Sequence, residues 1–215
     1  MLEFRHTNGT EAGGENVARA YLEYLARHPS TARRVATKLA RRFVSDDPPA
    51  ALVTRLAAVY TANDTRIAPV LRELFASPDF AASIGAKTWR PFEHLIAVAR
   101  RLGLKPDTDE VEGPEGLVWL AEEAGHSPFG APFPTGYTDI TAAWLSTSSV
   151  LNRWNATLSV AAGWWPTAFD RPTLRNQLIG ATLPATHGDL VDAVSQSLFE
   201  RTLSAPHRAA ALTFL

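Results

Sequence analysis

Between Gly125 and Asp139 the chain cannot form a regular helix, and almost everywhere else it reads as one. Pro128, Pro132 and Pro134 fix φ and remove amide donors, while Gly125, Gly130 and Gly136 free the backbone for turns. Phe129, Phe133 and Tyr137 recur every four residues with no helix to explain the spacing. That pattern predicts a long loop pinned to a core by its aromatics and running on through Ile140 to Trp144. Outside this stretch apolar residues recur at helical spacing, and no segment alternates with period two for long enough to make a strand. The expected fold is all-α: a compact, multi-helix, orthogonal or bundle-like domain with one long Pro/Gly-rich loop and no significant sheet.

Residues 1–13 carry no periodicity and read as an irregular lead-in; residues 14–215 show no composition break and read as a single all-α domain. Val17, Tyr21, Leu22 and Leu25 mark a first apolar face that Pro29 ends. Ser30 or Thr31 then caps a helix striped by Val35, Ala36, Leu39, Ala40 and Phe43. Asp47 reads as the cap of the next helix, with Pro48 at its first position, and Asp64 as the cap of the one after. Pro91 opens a strong amphipathic helix that Gly103 closes, and residues 104–113 read as an acidic linker. Thr138 or Asp139 caps a short helix through Trp144. Val150, Leu151, Trp154, Leu158 and Ala161 mark the apolar face of a helix ending at Gly163. The loop 125–139 is expected to pack on this last helix and on the helix 91–103.

The chain carries 21 Lys and Arg against 22 Asp and Glu, a net charge of −1, which argues against non-specific nucleic-acid binding. Charge is nonetheless segregated. Six basic residues and no acid lie between Arg27 and Arg42, and eight acids with no Lys or Arg lie between Asp107 and Asp139. The two blocks face each other, face partners, or are solvated surfaces. Absence of cysteine excludes disulfides and thiolate chemistry. No apolar run is long enough to span a membrane, and Met1 to His6 lacks the apolar core of a signal peptide.

Several blocks resemble one family. They are His28-Pro29-Ser30-Thr31-Ala32, Lys38-Leu39, and Phe43-Val44-Ser45-Asp46-Asp47-Pro48-Pro49; then Ser77-Pro78 with Phe80, Lys87, Pro91-Phe92-Glu93, and Arg100-Arg101-Leu102-Gly103. The loop adds Gly125, Pro128-Phe129, Pro132, Pro134, Gly136-Tyr137 and Trp144, followed by Arg153 and Asn155. In this order, over roughly residues 14–165, they resemble the bacterial DUF1800 family. His126 departs from the family pattern, where Gln is commoner. The resemblance implies that these blocks belong to the C-terminal part of a longer architecture. It supplies no established activity. It also implies export to the cell envelope and a protein partner from a sulfatase-like exported family.

Two functional classes follow. One is a non-catalytic envelope or protein-interaction module working with a partner. The other is a hydrolase acting on a cell-surface polymer through carboxylates near the loop 125–139. Hydrolysis needs paired carboxylates across a cleft. Glu93 and Asp139 are candidates, as is His126 for proton transfer, with Glu122 and Glu123 at the loop and Trp119, Tyr137 and Trp144 nearby. Each has a structural alternative as a cap or a solvated side chain. The binding candidates are Lys38, Lys87, Arg100, Tyr137, Trp144, Arg153 and Asn155, polar or aromatic residues on or beside strongly apolar helices. Arg153 and Asn155 are expected to hold the loop through carbonyls that its prolines leave short of partners. No cofactor is implied. The six histidines show no i, i+4 pair, so no metal site is read from the sequence.

Overall fold

A computed structural model describes residues 3–7, 10–107, 111–180 and 182–215, the side chains of residues 12 and 174 excepted. Residues 108–110 of the acidic linker lie outside the described residues. The described chain is mostly helical, and it divides into two compact units: residues 1–88 with 138–143, and residues 89–137 with 144–215. Composition gives no sign of these boundaries. They are set by which helices share apolar contacts.

The first unit contains α1 (Glu11–Arg27), α2 (Pro29–Phe43), α3 (Ala50–Ala62), α4 (Ile67–Phe75) and the single turn α5 (Pro78–Ala81). Its core is built from Ala32, Ala36 and Ala40 of α2, Leu52, Val53, Leu56 and Tyr60 of α3, and Val70 and Leu74 of α4. The alanines let α2 and α3 approach closely, and the leucines fill the space between.

Helix starts in this unit differ from the sequence reading in informative ways. Thr10 caps α1 by accepting from the Gly13 amide (3.1 Å), so helix begins inside the expected lead-in. Pro29 starts α2 instead of only ending α1. Its cap is His28, whose Nδ1 accepts from the Ser30 amide (3.1 Å). Proline lacks only the donor that a first turn leaves unused, which is why it suits that position. Neither Asp47 nor Asp64 caps a helix. Pro49 and Arg66 stand at those caps, and Asp64 and Thr65 take left-handed φ of 52° and 63°.

The second unit contains α6 (Pro91–Arg101), α7 (Glu112–Glu123), α8 (Thr147–Ala162), α9 (Leu174–Ile179), α10 (His187–Phe199) and α11 (Ala205–Phe214). Leu95, Ala99, Leu102, Leu117, Ala121, Ala156 and Val160 join α6, α7 and α8 in its core. Gly163 at φ 73° closes α8, as its sequence signal predicts. The last residues of the expected linker form the first turn of α7. A two-residue antiparallel ladder pairs β1 (Lys105–Pro106) with β2 (Phe169–Asp170), with Lys105 opposite Asp170. Pairs this short carry no alternation, so periodicity misses them.

The aromatic anchors of the loop are corrected most sharply. Phe129 is fully exposed and sits at φ 61°, and Phe133 is also exposed. Only Tyr137 packs, against His126 and Trp144. Residues 138–143 belong to the first unit, and the short helix expected there is a 3-10 turn over Thr141–Trp144.

Candidate functional site

In the first unit, polar candidates gather around Asp46. Its carboxylate accepts from the Thr141 amide (2.8 Å) and hydroxyl (3.2 Å), and from the ammonium of Lys87. Lys87 also donates to the Asp139 carbonyl, and Arg42 donates to the Asp139 carboxylate (3.2 Å). Burial alone would raise the Asp46 pKa. The hydrogen bonds from Lys87 and Thr141, with the Lys87 charge, outweigh it and hold the group below the usual carboxylate range. A carboxyl held in its charged form is a poor general acid. This knot fastens residues 138–143, and it occupies both Asp139 and Lys87. The pair Arg42–Asp139 is also where the basic and acidic blocks of the sequence meet. Lys38, in the same unit, is exposed.

In the second unit His126 is buried just beyond α7. Its amide donates to the Ala121 carbonyl (2.8 Å), and its Nδ1 accepts from the Phe92 amide (3.2 Å). Phe92 lies in the first turn of α6, where amides have no partner within the helix. An accepting Nδ1 places the proton on Nε2. Tyr137 and Trp144 enclose the ring, with centroids at 4.8 and 5.0 Å. Glu93 caps the same helix, accepting from the Arg90 amide (3.3 Å) and its Nε (2.9 Å).

Arg153 is 8% exposed, and among the described residues its guanidinium donates to backbone carbonyls. It donates to the carbonyls of Trp144 (3.0 Å), Trp89 (3.2 Å) and Ser149 (3.4 Å). The Trp144 bond fastens the end of the Gly125–Trp144 stretch, while no carbonyl of the proline-rich part 125–139, where the bond is expected, accepts from Arg153 among the described residues. Asn155 is exposed and takes no part. Asn152, one turn earlier, donates to the Glu123 carbonyl (2.5 Å), and Ser149 to that of Ala124 (3.1 Å). Burial lowers the Arg153 pKa. Burial, and then the Arg153 charge, lower that of His94. The Thr157 hydroxyl gives its proton to the Arg153 carbonyl (2.7 Å), so it accepts from His94 Nε2–H (2.9 Å). Arg100 is exposed on α6.

Helix α8 is inside out by side-chain type. Ser149, Arg153, Ala156 and Val160 are buried, while Leu151, Trp154 and Leu158 are 48%, 68% and 55% exposed. The exposed three lie at i, i+3 and i+7, one stripe on the side opposite Arg153. Trp164, beyond the helix end, is exposed as well. The sequence reading places the apolar face of this helix inward, and the structure turns it outward. The Trp89 and Trp144 carbonyls, which lie outside α8, take the Arg153 guanidinium inward, and the helix can bury only one side.

The structure brings together His126, Tyr137 and Trp144 in one unit, and Lys87 and Asp139 in the other. It leaves Lys38, Arg100 and Asn155 on the surface. Asp46, Arg42 and Thr141 were not singled out by sequence as a group. The available signal was an Asp46-Asp47 pair before two prolines, of which only one is needed for a turn. Among the described residues no His, Asp and Glu group is disposed to hold a metal ion, and no helix is long and apolar enough to cross a membrane.

Together these features define a helical protein whose buried polar residues bind its own backbone. A family model described as "Protein of unknown function (DUF1800)" matches residues 1–215, and the chain belongs to that family. The match extends on both sides of the blocks from which the resemblance was read. No curated protein and no solved structure matches the chain.

Proposed function

We propose that the chain is a non-catalytic interaction module that works with a protein partner, and that the outward stripe of α8 is its docking face. The exposed row Leu151, Trp154 and Leu158 carries this reading. Large apolar side chains aligned on one helix face are costly to leave in water, and such rows mark interaction sites. Tryptophan is also the residue type most enriched at interface hot spots. Glu93, Asp139 and His126 support the same reading, because each is engaged by the fold: a cap, a charged knot and an amide acceptor. An envelope setting and a sulfatase-like partner rest on the family resemblance alone. Hydrolysis of a cell-surface polymer is the reading that these engagements disfavour.

The test is site-specific photo-crosslinking in the native host. A photoreactive residue replacing Leu158 is expected to form one discrete protein adduct, and the same residue replacing Lys38 none. Trp154→Ser in the first background should abolish the adduct while leaving the melting temperature unchanged. Lack of any adduct from the α8 face overturns the reading. So does release of soluble fragments from purified cell-surface polymer by the intact protein.

A further inference from the structure

Helix α7 builds a second surface that owes nothing to α8's outer stripe. Glu112, Glu115, Trp119 and Glu122 stand at i, i+3, i+7 and i+10, which places them along one helix face. Trp165 meets Trp119 edge to face, with ring centroids 5.4 Å apart and planes at 88°. These five side chains, with Val111, Gly116 and Val118, line an open cleft of about 480 Å³. That size lies within the usual range for small-ligand sites.

Two glycines allow the cleft to form. A Cβ at Gly116 would come within 2.7 Å of Pro166 and 3.1 Å of the Trp165 ring, and one at Gly113 within 2.2 Å of the Ala168 carbonyl. Only glycine lets segment 165–168 lie this close to α7, and that approach sets Trp165 against Trp119. Two of the carboxylates are also held in place. Glu112 accepts from the Thr167 hydroxyl (3.1 Å) and Glu122 from the Ser127 hydroxyl (2.6 Å). Both donors are neutral hydroxyls and bring no counter-charge. Among the described residues no Lys, Arg or His lines the cleft.

We infer that this cleft is a binding site for an organic cation: an alkylammonium or guanidinium group seated against the Trp119–Trp165 pair and balanced by Glu112, Glu115 and Glu122. Indole is the best aromatic partner for a cation, and carboxylates around it supply the counter-charge. A neutral sugar would also stack on a tryptophan. It would gain nothing from three like charges along one wall with no cation among them. The source of the group is a basic side chain on a peptide or a free polyamine, and both carry the same chemistry.

The experiment titrates the intact 215-residue protein with capped trilysine, with spermidine and with capped trialanine, followed by tryptophan fluorescence and calorimetry. Saturable binding of at least one cationic probe, and none of trialanine, is expected. Trp119→Ala should weaken it by roughly 2- to 30-fold, the range of a cation–aromatic contact. Glu115→Gln, an exposed position where folding is not at stake, should weaken it several-fold. Tighter binding of trilysine identifies a peptide as the source, and tighter binding of spermidine a polyamine. The inference is overturned if neither cation saturates, if affinity is unchanged in both variants, or if a neutral oligosaccharide, titrated in the same way, binds more tightly than either. A failure here leaves the α8 reading standing, because the crosslinking test does not involve α7.

Discussion

Helices α2 and α8 have nearly the same length, 15 and 16 residues, and both bury small apolar residues, but only α8 adds polar side chains to its inner face and leaves its largest apolar ones outside. Helix α2 turns Ala32, Ala36 and Ala40 inward and leaves Arg33, Arg34 and Lys38 in water. Helix α8 turns Ser149 and Arg153 inward and leaves Leu151, Trp154 and Leu158 out. Hydrophobic transfer explains the first directly. The second is explained by hydrogen bonding. The Trp89 and Trp144 carbonyls are satisfied by Arg153, and a buried carbonyl without a donor costs about 1–3 kcal/mol. Apolar periodicity therefore locates a helix without fixing which side faces in when the packed backbone has unmet acceptors.

The largest expected effect tests that explanation. Arg153→Met keeps length and apolar bulk but removes the donors to three carbonyls. It should cost about 3 kcal/mol in denaturant unfolding, since bonds to a charged donor and stranded carbonyls both count. An unchanged midpoint would mean that apolar packing alone orients α8.

Next comes the knot in the first unit. Asp46→Asn should cost about 1–2 kcal/mol at neutral pH, as a partly exposed charged hydrogen-bond centre is weakened. The pH profile sharpens the point. The folded Asp46 pKa lies below its unfolded value, so the unfolded state binds more protons between the two. Its contribution is complete above the ordinary carboxylate value and is lost as pH falls through the lowered folded one. An acid-unfolding curve should therefore be shallower in Asp46→Asn than in the parent.

A smaller slope is expected from His94, whose folded pKa is also depressed, by burial first and by the Arg153 charge second. Stability should be complete above the ordinary histidine value of 6.5 and decline as pH falls through it toward the folded value. His94→Gln should flatten this region of the profile. A parent curve that is flat between pH 7 and 5 would count against the neutral imidazole donating to Thr157. In Arg153→Met the histidine pKa should move back up, which nuclear magnetic resonance titration of the ring can read.

The smallest effects belong to the outward residues. Trp154→Ser and Leu158→Ser should each change unfolding free energy by less than about 0.5 kcal/mol, as surface substitutions do. The same applies to Phe129→Gly, where a left-handed φ of 61° suits glycine better than phenylalanine. A loss above about 2 kcal/mol at Trp154 would place that side chain in a core and remove the distinction between α2 and α8.

Much of this was legible in the residues. Pro91 and Gly103 bracket α6, and Gly163 ends α8, because φ restriction and left-handed turns are local properties. That Arg153 clamps backbone was recognisable, although its expected companion Asn155 stands on the surface and its target is Trp144, beyond the proline-rich segment 125–139. Its second target, Trp89, lies 64 residues away and was not. Phe129 and Phe133 were misread because regular spacing of aromatics says nothing about where an irregular backbone points them. The α7 cleft was half visible. Trp119 and Glu122 were noticed beside the loop, but their partner Trp165 is brought in only by the close approach at Gly116.

The sequence by itself determined an all-α chain, several of its helix ends and its family, because those depend on periodicity, on local backbone preference and on recurring short blocks. Tertiary structure alone decided which side of each helix is covered, how residues 138–143 are fastened to Asp46, Lys87 and Arg42, and which aromatics meet. These depend on acceptors and side chains tens of residues apart, whose pairing is fixed only when the chain is packed.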